Sequence, residues 1–226
     1  MPTNDAVKMG KLYFNPGCAL SIYKPDMEQR ILEYLNANYG DVALHKTCCR
    51  HDPGVEKDAV IINVCAGCDR RFRSLYQGVG TISLWEVLDG MESFPYPNYL
   101  GIKMSVHDAC PVREKPQVHA AVRSILRKMN IEVVETNYHG TRSICCGDDF
   151  YPALPVEKVQ ERMRLRAGSM PCEDVVVYCV SCIKAMFIGG KMPRHMVDLL
   201  FGENTAPKVY DTVEWHRQLQ AYIDVH

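Results

Sequence analysis

No stretch of this sequence stays apolar for the roughly 18–20 residues that a membrane-spanning helix needs. The longest apolar runs, at residues 60–64 and 175–178, have the length of a strand. The first nine residues are polar, with Pro2, Asn4, Asp5 and Lys8, and hold no apolar stretch of the secretory kind. Neither sign of charge is in excess: Lys and Arg number 26, Asp and Glu 27, for a net charge of −1. That balance removes the electrostatic case for general nucleic-acid binding or for a polybasic membrane surface. No Cys-x-x-Cys-x-x-Cys-x-x-x-Cys-Pro run is present, so no cubane ferredoxin site of that type is encoded. No Gly-x-Gly-x-x-Gly opens a helix after a strand, and Gly78-Val79-Gly80 is too short to count, so flavin or NAD binding has no support here. Low-complexity sequence is missing, and the two tryptophans, Trp85 and Trp215, carry no site signal. These absences predict a cytoplasmic protein, with no membrane insertion and no nucleic-acid partner, in a compartment where thiols stay reduced.

Cysteine is abundant instead: 11 in 226 residues. The count is odd, so a fully paired disulfide framework would leave one over. In a reducing compartment this density favours metal binding. Ten of the cysteines form two copies of one pattern. The first is Cys18, Cys48-Cys49 and Cys65-x-x-Cys68; the second is Cys110, Cys145-Cys146 and Cys179-x-x-Cys182. Cys172, in Met170-Pro171-Cys172-Glu173, lies outside both and reads as a small packing residue at a helix-to-strand turn.

The surroundings repeat as well. Lys24-Pro25 follows Cys18 and Lys115-Pro116 follows Cys110, each opening a helical stretch. Met27, Ile31, Tyr34 and Leu35 form one apolar stripe, ended by Gly40; Val118, Val122, Ile125, Leu126 and Met129 form the other. Strands are expected at 11–14, 42–45 and 59–64, and again at 103–107, 131–135 and 175–178. The runs at 59–64 and 175–178 lack alternation, as suits strands buried on both faces of a parallel sheet. The fold class that follows is α/β: two pseudo-repeated small α/β domains with parallel-type sheets, residues 1–94 and 95–226. The Pro-rich stretch 94–99 joins them. Thirty-two residues separate Cys146 from Cys179, including a helix-like pattern of Val159, Met163 and Leu165 after Pro155; only 15 separate Cys49 from Cys65. The first half is therefore shortened by one helix, and its cysteines are expected to be the less well covered.

In this arrangement the cysteines sit at the C-terminal ends of strands, where open parallel sheets place their binding sites. Cys65, Cys68, Cys179 and Cys182 also start helices, where backbone N–H groups and the helix dipole favour thiolate. A zinc site takes four ligands, and so does a cubane iron–sulfur cluster. Five thiols, two of them adjacent, match an extended and asymmetric cluster better.

The pattern Cys…Cys-Cys-Gly…Cys-x-x-Cys, preceded by His107-Asp108-Ala109-Cys110, resembles the cysteine-rich CCG domain. That domain occurs twice in the disulfide-cleaving subunit of heterodisulfide reductase, and also in iron–sulfur subunits of glycolate and lactate oxidation and of some succinate or fumarate reductases. The resemblance spans about residues 11–201. It implies an iron–sulfur oxidoreductase subunit with two non-cubane [4Fe-4S] clusters that split a small disulfide substrate, or oxidise thiols, between them. It assigns Cys110, Cys145, Cys146, Cys179 and Cys182 to one cluster, and Cys18, Cys48, Cys49, Cys65 and Cys68 to the other. It further implies partners in a hetero-oligomeric complex: a ferredoxin-like iron–sulfur subunit and a flavoprotein. The first motif departs from the family, with Arg50 in place of glycine and the short gap, so a zinc ion or a degenerate, empty site stays open there.

The motif residues bind the cluster, so they name neither a catalytic residue nor the physiological substrate. His51, His107 and His139 are candidate proton donors, or, for His107, a donor to a cluster sulfur; a strand-end histidine bonded to backbone is the plain alternative. Arg50, Arg113, Lys24 and Lys115 flank the motifs as candidate counter-charges or as solvated loop charge. Two other functions compete with disulfide reduction: an electron relay in a hydroxy-acid or quinone-linked oxidoreductase, and a structural zinc module.

Overall fold

Strands rich in Val, Ile and Phe form the middle of two parallel sheets in the computed structural model, which describes residues 10–207 and 211–226. The N-terminal nine residues lie outside the described residues.

The first sheet has the order β2-β1-β3-β4, from β1 (Leu12–Asn15), β2 (Val42–Leu44), β3 (Val60–Asn63) and β4 (Gly80–Ser83), all parallel. The second has β6-β5-β7-β8, from β5 (Lys103–His107), β6 (Glu132–Val133), β7 (Asp174–Val177) and β8 (Met192–His195), again parallel. The α/β architecture and the duplication read from sequence are thus both present. The central strands carry the core: Phe14, Ile61 and Ile62 in one sheet, and Val106, Val175, Val176 and Val177 in the other, have no exposed surface. Contiguous apolar residues are what two covered faces require.

Nothing in the sequence pattern announces β4 or β8. Each is a short strand at the edge of its sheet, and each contains a residue that strand patterns exclude, Gly80 and Pro193. An edge strand tolerates proline because half of its N–H groups face away from any partner.

Helices pack against the sheets by the expected stripes. In α2 (Asp26–Tyr39) Met27, Ile31 and Leu35 are buried, and Gly40 follows with φ +82°, a value that favours glycine. In α5 (Pro116–Lys128) Pro116 occupies the first turn, where its missing N–H costs nothing, and Val118, Val122, Ile125 and Leu126 are buried. The long gap of the second motif holds α6 (Val156–Gly168), and no helix fills the short gap of the first. The buried face of α6 differs from the apolar reading, however. Val159 and Met163 are inside, Leu165 is 71% exposed, and the third buried position is Arg166. Helical spacing from 159 and 163 runs to 166, so geometry overrides hydrophobicity there. The other helices are α1 (Gly17–Tyr23), α3 (Ala66–Leu75), α4 (Leu84–Asp89), α7 (Val180–Ile188), α8 (Met196–Leu200) and α9 (Thr212–Val225).

The chain divides into two units, the first running through Phe94 and also taking Leu219–His226, the second being Pro95–Gln218. The sequence pattern puts all of 95–226 in the second half; the structure returns the last eight residues to the first. Within that first unit Ile223 is buried, the Ile223 carbonyl accepts from His51 Nε2 at 2.9 Å, and the His226 carbonyl accepts from the Cys48 N–H at 2.9 Å. No helix among the described residues is long and apolar enough to cross a membrane.

Ile62→Ala, at a site with no exposed surface, should cost about 2–5 kcal/mol, whereas Leu165→Ala should stay within about 0.5 kcal/mol. Urea unfolding of the two variants checks this; equal costs would contradict the burial assigned to residue 165.

Candidate metal centres

Three segments of each unit end at the same edge of its sheet. In the first, β1 ends at Asn15 and Cys18 follows on the first turn of α1; β2 ends at Leu44 and the Cys48-Cys49 pair follows; β3 ends at Asn63, with Cys65 as the N-cap of α3 and Cys68 in its first turn. In the second, β5 ends at His107 and Cys110 opens a 3-10 turn, Cys110–Val112; Cys145-Cys146 follow a second such turn, Gly140–Arg142; β7 ends at Val177, with Cys179 capping α7 and Cys182 in its first turn. Cys18 and Cys110 thus begin helical turns beyond the strand rather than ending the strand itself.

The sulfurs converge in the same order in both units. Cys18 and Cys49 both lie within hydrogen-bond reach of Cys48, and Cys68 lies within reach of both Cys49 and Cys65. Likewise Cys110 and Cys146 donate to Cys145, and Cys182 bonds to both Cys146 and Cys179. All ten thiols are unpaired as disulfides. The hydrogen bonds from Cys18 and Cys49 pull the Cys48 thiol well below its ordinary value, and those from Cys110 and Cys146 do the same for Cys145. Cys65 is lowered by the Cys68 thiol and by the N–H groups of Cys68 and Gly67 at the start of α3. Backbone N–H groups of Gly147, 3.3 Å from Sγ, and of Asp149 also point at Cys145. Each unit therefore favours thiolate at some of its sulfurs, the ligand form a metal needs. The clustered cysteines are suited to holding a metal ion.

Gly17 and Gly147 make close approaches at these sites. A Cβ on Gly17 would come within 2.9 Å of Cys65 Cβ, and one on Gly147, at φ +112°, would meet Met163 N at 3.0 Å and Arg162 Cβ at 3.2 Å.

Polar side chains hold the cysteine segments together. Asp108 has no exposed surface and receives Arg123 through both guanidinium nitrogens (2.9 and 2.8 Å), the Gly140 N–H (2.6 Å) and the Tyr178 hydroxyl (3.0 Å). Its own carbonyl accepts from Ser143 Oγ. One residue thereby joins the segments that carry Cys110, Cys145-Cys146 and Cys179. Burial alone would raise the Asp108 carboxyl, but the hydrogen bonds and charge of Arg123 and the Gly140 N–H hold it below its usual value. In the first unit Asn15 does this work: its Nδ2 bonds His45 Nδ1 (3.0 Å) and the His45 carbonyl (3.1 Å), and its carbonyl accepts from the Val64 N–H (3.1 Å).

His107 is the histidine at the sulfurs: a ring nitrogen lies with the Cys146 and Cys182 sulfurs, all within 4.8 Å of one another. Burial, together with the charge of Arg166, pushes its imidazole down to about 3, so it stays neutral. His51 donates through Nε2 to the Ile223 carbonyl, and His139 through Nδ1 to the Thr136 carbonyl (2.6 Å). Of the flanking cations, Arg113 gives its Nε–H to the Ser143 carbonyl at 2.6 Å, Lys24 lies 5.7 Å over the Tyr23 ring, and Arg50 is exposed. Cys172 stands apart, its N–H on Ser105 Oγ and its carbonyl on Lys191 Nζ. Each set has two buried and three half-buried cysteines, so the short gap does not leave the first set less covered; the residues 219–226 reach Cys48 and His51 instead.

Several neighbours carry no sequence signal. Asp148, two residues after Cys146, pairs with buried Lys184 (2.5 Å) and with His216 (3.3 Å). Burial raises its carboxyl, and His216 and Lys184 outweigh that and lower it. Trp215 donates its indole N–H to Ser181 Oγ at 2.9 Å, between Cys179 and Cys182. The spacing of Asp148 from the cysteine pair was the one available hint; the others lie too far off in sequence.

No protein-family model matches this chain, and no curated protein matches it.

Asp108→Asn should cost about 3 kcal/mol by breaking a buried ion pair. It should also change the pH profile. A depressed carboxyl contributes stability that is full above its ordinary value of 3.8 and is lost as pH falls through the lower folded value. Denaturant unfolding between pH 2.5 and 7 should therefore show a shallower acid decline for the variant; an unaltered slope would mean that Asp108 is not held as an anion.

Proposed function

We propose that this chain is an iron–sulfur oxidoreductase subunit of the CCG-domain class, resembling the disulfide-cleaving subunit of heterodisulfide reductase. It would reduce a small disulfide, or oxidise thiols, with electrons exchanged with partner subunits. The observation that supports this most is that five sulfurs converge in each unit, joined in the same order. Zinc, with four ligands, would leave one thiol of each set unused. Two non-cubane [4Fe-4S] clusters are the better match, one held by Cys18, Cys48, Cys49, Cys65 and Cys68, the other by Cys110, Cys145, Cys146, Cys179 and Cys182. When bound, such a cluster supplies single electrons to a substrate sulfur.

The protein's own groups would prepare the site for that chemistry. The N-terminal turn of α3 presents the backbone N–H groups of Gly67 and Cys68 to the sulfur of Cys65, stabilising negative charge. Thiolates formed from a disulfide are costly to leave uncompensated in a poorly solvated site. Buried Lys184 and Arg166 in the second unit supply positive charge against that cost. No dinucleotide or ferredoxin motif is encoded, so electrons would come from a ferredoxin-like subunit and a flavoprotein, in the cytoplasm.

Anaerobically purified protein should be brown and hold about eight irons, about four per set. Colourless protein holding only zinc after attempted reconstitution would replace this reading with the zinc module. Cys49→Ser and Cys146→Ser should each abolish disulfide reduction driven by an artificial donor. Full activity in the Cys49 variant would take the first centre out of the disulfide chemistry and leave the second as the one working centre.

A further inference from the structure

His107 ends β5 and is 1% exposed. Its Nδ1 accepts a hydrogen bond from Arg166 Nε at 3.0 Å. Arg166, on the buried face of α6, gives its remaining bonds to Ser169 Oγ (3.0 Å) and the Tyr138 carbonyl (2.9 Å). All three acceptors are neutral, and no carboxylate touches this guanidinium among the described residues.

A guanidinium in a protein does not give up its protons. The histidine nitrogen that faces it must therefore offer a lone pair. A neutral imidazole carries one N–H, which here falls on Nε2. Nε2 is buried and has no hydrogen-bond partner within the protein. With Nδ1 turned to Arg166, Nε2 is the nitrogen left for the side of Cys146 and Cys182.

We infer that His107 is a positioning residue of the second centre: an N–H donor, held in one tautomer by Arg166, that bonds to the anionic group bound at Cys146 and Cys182 and does not ligate the metal. This rests on the proposed function, in which the second sulfur set binds an anionic metal–thiolate centre. Ligation would need the lone pair on Nε2 and the proton on Nδ1, where it would meet the Arg166 N–H head on. A hydrogen bond to a cluster sulfur favours the more negative, reduced form. The guanidinium behind the ring acts in the same direction. The device belongs to the second unit alone. Asn15 holds the corresponding place in the first, its Nδ2 bonded to His45, and no helix there corresponds to α6.

Nitrogen-15 spectra of the metal-free, full-length protein read the tautomer directly. A protonated Nε2 and a bare Nδ1 at His107 are expected; the reverse tautomer, or an imidazolium, overturns the inference. Zinc alone, added as a probe, should leave the Nε2 proton in place, and its loss with zinc on that nitrogen overturns the donor role. In iron-loaded protein His107→Leu should move the midpoint potential of the second centre to more negative values. His107→Gln, which keeps an N–H, should recover part of the shift, and an unmoved potential in the leucine variant counts against the inference. If reconstitution yields no iron–sulfur centre at all, the function proposed above falls, while the tautomer and zinc readouts still decide this one.

Discussion

A five-sulfur site needs three chain segments, far apart in sequence, to stop at one edge of one sheet. Parallel pairing is what enforces this. Asn15 pairs with Asn63 at the ends of β1 and β3, and His107 with Val177 at the ends of β5 and β7. Cys18 and Cys65, like Cys110 and Cys179, then lie three and two residues beyond a matched pair. A slip of one residue would turn every side chain to the opposite face and pull the sulfurs apart. The buried Val, Ile and Phe residues of the central strands prevent such a slip, because both faces of each sheet are covered.

The third segment, with the adjacent cysteines, is less well tied by the sheet, since β2 and β6 are short. Side chains tie it instead, and the two units do so differently. The first uses a neutral amide, Asn15 on His45. The second uses ions: Asp108 with Arg123, Asp148 with Lys184, and Arg166. Burying ions carries an effective cost of several kcal/mol each. The first unit also buries carboxylates, Glu28 paired with Lys46 and Asp69 with Arg73, but these do not join its cysteine segments as Asp108 does.

Much of this was legible in the sequence for a physical reason. Doubly covered strands are contiguous apolar runs, and amphipathic helices repeat at 3.6 residues, so six of the eight strands and helices α2, α5 and α6 stand out. The cysteine spacing exposes the duplication. Edge strands β4 and β8 stay hidden because one side of each lacks a partner, which relaxes the demands on composition. Arg166 stays hidden for the opposite reason: it occupies an apolar stripe position, where hydrophobicity patterns pick out Leu165 instead. The C-terminal residues 219–226 belong with a unit more than 120 residues upstream of them, and no local pattern can report such a return. Asp108 and Asp148 flank the motifs, but the roles of both depend on partners that only the fold brings near.

Gly147 and helix α6 belong to a single feature. The helix backbone at Met163 lies so close to residue 147 that a Cβ there would press on Met163 N and Arg162 Cβ. Where the first unit has no such helix, the corresponding residue is Arg50, long and exposed. The two ways in which the first motif departs from Cys-Cys-Gly with a long gap are therefore linked: position 147 has both a helix leaning on it and a φ of +112°, and position 50 has neither. Grafting an α6-like segment onto the first unit would call for glycine at position 50 as well. In the other direction, a side chain introduced at 147 would push α6 outward and carry Arg166 away from the ring it steadies, disturbing the second centre from a residue that binds nothing.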